Sequence, residues 1–261
     1  MGDRMKTRFI GCWCIGAAIL AFCAGSAIAG QASKAHSSAV AVDRCVDLFG
    51  SVDIPEEDHL RQVRLEAQHE RRAREYFSSW SRNELSHTLT PALRTYKPSD
   101  VRFVSIAYTL AYYNIDVEVN AARIVKFIGA NMDLDSLDTA GARLHNVYRR
   151  HPSSAVMRDI LTMRGDAEIQ LGYDEERISI FLESPAAVLK EASASKVAMR
   201  GLTEALENMD AYSNAEEHPV NLTLRNFSHN RNPKLAATAK RIRAAIVSYQ
   251  ARILAAAKAG E

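Results

Sequence analysis

From Pro98 to Met209 the chain repeats one spacing, with apolar residues three and four apart between short polar links. Val101, Val104, Tyr108 and Ala111 make one stripe, and Phe103, Ile106, Leu110 and Tyr113 make a second on the same segment. Only a turn of about 3.6 residues returns those side chains to common faces. A helix apolar on two faces is expected between neighbours rather than at the surface. The spacing recurs in Val117, Ala121, Ile124 and Ile128, which Gly129 can end. It recurs again in Leu137, Ala140, Leu144 and Val147, stopped by Pro152, and in Val197, Leu202, Ala205 and Met209. Ser153-Ser154 and Ser184-Pro185 supply helix starts before "AVMRDILTM" and "PAAVLKEAS", and "DEERISIFL" follows Gly172. With 12 Gly and 7 Pro in 261 residues there are few breakers, and no hairpin signal interrupts the pattern. The expected class is all-α. Helix pairs begin at intervals of roughly 35 to 40 residues, a period that suits stacked pairs in an α-solenoid of the HEAT-like kind. The units do not align residue by residue, so an irregular multi-helix bundle is the alternative.

The N-terminus reads as an address. Arg4, Lys6 and Arg8 precede an uncharged run from Phe9 to Phe22, and Ala27-Ile28-Ala29 offers a small-x-small cleavage site. That is the layout of a secretory signal removed after Ala29. No basic cluster follows to stop transfer, which argues against a retained membrane helix. The expected organisation is a cleaved signal over 1–29, a flexible leader over 30–52 and a single all-helical domain over 53–260. The expected localisation is periplasmic or secreted.

Cleavage changes the charge and cysteine balance. Of 33 basic and 31 acidic residues, three and one lie in the signal, so 30 of each remain. A neutral chain gives no overall argument for nucleic acid, and none is expected as a partner. Cys12, Cys14 and Cys23 leave with the signal, and Cys45 alone remains. One cysteine excludes a disulfide framework and a cysteine-rich zinc site. Cys45 suits a small buried apolar position, and the alternative is an exposed thiol joining two chains as a homodimer.

Two segments frame the helical core. Pro55-Glu56-Glu57-Asp58 is expected to open a charged surface helix reaching about Trp80, with Glu70/Arg74 and Arg71/Glu75 four apart. "EEHPVNLTLRNFSHNRNP" is expected to be a loop or short cap; it carries two glycosylation acceptors in form, at Asn221 and Asn226. After it, Leu235, Ala239, Ile242, Ile246, Tyr249, Ile253 and Ala256 run as a heptad seam. Between His218 and Gly260 there are eight Lys and Arg and no acid. Lys240, Arg241, Arg243 and Arg252 are therefore the candidate partner surface, for another protein or for weak contact with an anionic surface.

Other candidate chemistry is sparse. Glu66-Ala67-Gln68-His69 and Glu84-Leu85-Ser86-His87 each place a carboxylate and an imidazole on one helical face, as di-iron bundles do. Glu66, His69, Glu84 and His87 are thus the candidate metal ligands. Asn131, Asp133 and Asp135 begin like a calcium loop, but Ser136 and Ala142 stand where glycine and glutamate belong. Glu183-Ser184 resembles the Glu-Ser pair of helical cell-wall lyases, yet Pro185 follows at once and no glycine-rich cleft segment comes after. There is no Gly-x-Ser-x-Gly, phosphate loop or His-Glu-x-x-His. No catalytic residue or cofactor is assigned. The expected function is a non-catalytic helical protein-binding scaffold, with a metal-binding bundle or a glycan-active enzyme as alternatives.

Overall fold

The computed structural model describes residues 38–50, 59–130, 134–165, 167–208 and 218–259. Among the described residues there are twelve helices and no strand, so the chain is all-α. In chain order they are α1 (38–49), α2 (His59–Ser78), α3 (Arg82–Leu93), α4 (Val101–Tyr112), α5 (Val117–Ile128) and α6 (Leu134–Arg150). Then come α7 (Ser154–Thr162), α8 (Ala167–Glu183), α9 (Pro185–Ala194), α10 (Lys196–Asn208), α11 (Pro219–Ser228) and α12 (Pro233–Ala259).

Local chemistry explains where the helices begin. Ser81 and Glu84 form a reciprocal capping box on α3, and Asp100 accepts from the Arg102 N–H at the start of α4. Ser153 does the same for α7. Pro185 and Pro219 occupy first-turn positions in α9 and α11, where a missing N–H costs nothing. Ser184 precedes Pro185 as expected but makes no capping bond with its side chain.

The helices pack in two runs. One passes from α3 to α4, α6, α8, α10 and α12, and the other from α5 to α7 and α9. α4 also packs on α5, and α9 closes onto α12. Buried apolar side chains from α1 to α12 join in one connected cluster. α4 is its axis: every residue from Phe103 to Tyr112 is buried, as two apolar stripes on one helix require.

Three expectations are corrected. The sequence predicts a flexible leader over 30–52, but 38–49 is helical, with Ala41, Val42, Cys45, Leu48 and Phe49 buried. The Phe49 ring lies edge-on to Tyr108 and Phe127 at 6.1 and 6.5 Å, and the Arg143 guanidinium donates to the Phe49 carbonyl at 2.7 Å. The asparagine-rich loop contains α11, because Val220, Leu224 and Ser228 recur four apart and pack inward. α8 starts well before Gly172 and runs through it. The signal at 1–29, Pro55 to Asp58, and Asn131 and Asp133 lie outside the described residues. No helix among the described residues is long and apolar enough to cross a membrane.

Candidate functional site

The four candidate metal ligands sit on α2 and α3 and do not converge. His69 spends Nδ1 on Asp47 of α1 at 2.6 Å, and Asp47 also takes Arg44. Glu84 is committed to the N–H and hydroxyl of Ser81. His87 points to solvent. Among the described residues no three His, Cys, Asp or Glu side chains come close enough to hold a metal.

Cys45 is fully buried, and its thiol is pushed up to about 12, first by burial. A disulfide between two chains at Cys45 would require α1 to leave the core.

Glu183 is not a free acid. Arg149 binds both its oxygens, with Nε donating at 2.9 Å, and His145 Nε2 lies 3.2 Å away. The hydrogen bonds from Arg149 hold its carboxyl below the usual carboxylate range. A proton donor in glycoside cleavage needs the opposite shift. His145 is buried between Glu176 and Glu183, and it ties α6 to α8.

The most deeply buried charge among the described residues has no signal in the sequence. Arg177 of α8 is fully enclosed. It donates to Asp174 at 2.6 Å, to the Ile160 carbonyl at 3.3 Å and to the Met163 carbonyl. The last two are carbonyls at the end of α7, which its helix leaves unpaired. Burial lowers the Arg177 pKa, against the pull of Asp174. Gly201 of α10 lets α10 approach this junction closely.

The basic helix divides in two. In its first part Thr238, Ala239, Ile242 and Ile246 are buried against the body, chiefly α11, α9 and α10. Beyond Ile246 no described residue is buried, although the seam continues through Tyr249, Ile253 and Ala256. Val247, Ile253 and Leu254 stand 59, 53 and 60% exposed. Lys240, Arg241, Arg243 and Arg252 are all exposed, and Arg252 stacks 5.8 Å over the Tyr249 ring.

Comparison of the chain with protein-family models, with curated proteins and with solved structures found no match in any of the three.

Proposed function

We propose that the protein is an exported, non-catalytic scaffold whose helix pairs stack as an α-solenoid and which binds a partner protein through the outer part of α12. The two packing runs support the solenoid reading, since α4, α5, α6, α7, α8 and α10 each meet the helix two places further along the chain. Export rests on the basic, apolar and small-residue layout of residues 1–29.

The observation that carries the partner reading is the exposed apolar strip on the end of α12. Val247, Ala251 and Leu254 are four and three apart, beside the continuing seam residue Ile253. Exposed apolar residues grouped on one helix face mark interaction surfaces more often than singly scattered ones do. The flanking charges are all basic from His218 to Gly260, so the complementary partner carries acidic residues beside its apolar contacts.

A photo-crosslinking residue at position 254, introduced into the full chain in its own cells, tests this. The expected result is one discrete adduct, lost on Val247→Glu and absent from a crosslinker placed at exposed Val119 of α5. Equal labelling from both positions, or none from 254, overturns the reading. An adduct of twice the chain mass would make the partner a second copy.

A further inference from the structure

The junction of α9 with α10 faces the middle of α12 across an open groove of about 510 Å3. Lys196, Met199, Thr238 and Arg241 line it, and among the described residues no carboxylate does. The same Lys196, Met199 and Arg241 border a second lobe of about 330 Å3 between α10 and α12. The acids there are Glu204 and Glu207, and Glu204 is already held by Arg164 and Arg200. Neither Lys196 nor Arg241 has an ion-pair partner among the described residues.

Two further features face the same space. The groove opens at the N-terminus of α10, a helix of 13 residues. The Ser195 hydroxyl accepts from the Ala198 N–H at 3.2 Å, which leaves the N–H groups of the first two helical positions for another acceptor. Thr238 is only 5% exposed. The other buried helix hydroxyls, Ser105, Thr109 and Ser228, each donate to the carbonyl four residues back. Thr238 has no hydrogen-bond partner among the described residues. No buried side-chain polar atom among the described residues lacks a partner, so the Thr238 hydroxyl opens onto the groove, where a ligand can reach it.

We infer that this groove binds a small organic anion. Its phosphate or carboxylate head group sits among Lys196, Arg241, the Thr238 hydroxyl and the α10 N-terminus, and a short apolar body lies along Met199 and Ala237. The charge selects an oxyanion, since two cations and a helix N-terminus converge on the groove, and the acids Glu204 and Glu207 lie in the adjoining lobe. The apolar lining favours a tailed anion over an inorganic one. The site is separate from the exposed end of α12, so it stands or falls independently of the partner reading.

The test is a titration of the isotope-labelled chain beginning at Gly30, followed by amide chemical shifts at constant ionic strength. The probes are inorganic phosphate, octanoate and octyl phosphate. The expected result is saturable shifts confined to residues 193–199 and 237–241, with a tailed anion binding more tightly than inorganic phosphate. Whichever tailed anion binds more tightly identifies the head group. Lys196→Ala and Arg241→Ala each weaken binding about tenfold, the loss expected for one hydrogen bond to a charged group. Thr238→Val weakens it with helicity retained. Unsaturable shifts spread equally over Lys240, Arg243 and Lys258, or unchanged affinity in Arg241→Ala, overturn the site. Inorganic phosphate binding as tightly as octyl phosphate overturns the organic ligand.

Discussion

Gly201→Ala isolates the contact on which the α7–α10 junction depends. A β-carbon at 201 would lie 1.9 Å from the Leu161 carbonyl oxygen and 3.2 Å from its carbon. Both belong to the backbone of another helix, so no rotamer change relieves them. Ordinary contact at about 3.4 Å requires the two helices to separate by about 1.5 Å. The Arg177 guanidinium, with Cζ 3.9 Å from the same β-carbon, would then lose its grip on the Ile160 and Met163 carbonyls. Overpacking costs about 1–3 kcal/mol, and stranded buried carbonyls cost a similar amount. Alanine returns about 1 kcal/mol in helix propensity. The expected net loss is about 3 kcal/mol, a fall of about 6–12 °C in Tm for a chain of this size. Urea denaturation followed by circular dichroism reads it directly. Gly129→Ala is the control: its backbone is ordinary right-handed helix, and the nearest atom is 3.7 Å away in its own helix. That change is expected to be neutral or stabilising by up to about 1 kcal/mol. If Gly201→Ala is as stable as the parent chain, the close approach of α10 to α7 is wrong.

Arg177→Met should cost about 3–5 kcal/mol, because it leaves Asp174 charged and buried, while Arg177→Met with Asp174→Leu should recover part of that loss. A single variant within 1 kcal/mol of the parent would show that Arg177 does not hold α7. Asp159 is raised to about 6 by burial, with Arg158 opposing and Glu118 adding to it. A carboxyl raised in the folded state loses stability for the fold as pH climbs from the unfolded value near 4 to about 6. Asp159→Asn should therefore stabilise the chain above pH 6 by about 1 kcal/mol, after discounting for its partial exposure, and change nothing below pH 4. An equal effect at both pH values would refute that assignment. In the chain beginning at Gly30, Cys45 should resist a water-soluble thiol reagent until the protein is unfolded, and its mass should not depend on reductant; rapid native labelling would contradict the packing of α1.

The helical class was legible because the periodicity from Pro98 onward is local. α1 was not, although Val42, Cys45 and Phe49 stand at helical spacing. Its partners Tyr108 and Phe127 are far along the chain, so the short segment looked like the end of a polar tail. α11 was hidden by its asparagines, whose weak propensity is overridden by burial of Val220 and Leu224. Arg177 sits in "DEERISIFL" directly after three acidic residues, a local pattern that carries no sign of burial. Only the arrival of the α7 terminus encloses it. Thr238 was equally silent, because a groove between three helices has no signature in any one of them. The heptad spacing of α12 runs on to Ala256, so nothing in it showed that, among the described residues, burial ends at Ile246.

That overhang has an energetic consequence. α12 is 27 residues long, about 40 Å at 1.5 Å per residue. An isolated piece the size of its outer third would barely hold a helix in water, since nucleation is costly. Here the turns clamped through Ala239, Ile242 and Ile246 supply the nucleus, and an alanine-rich sequence propagates from it. Amide exchange should quicken steadily from Ile246 toward Lys258 rather than in one step. A molecule docking on Leu254 thus meets a rod already wound at its base, and little of its binding energy is lost to ordering the chain.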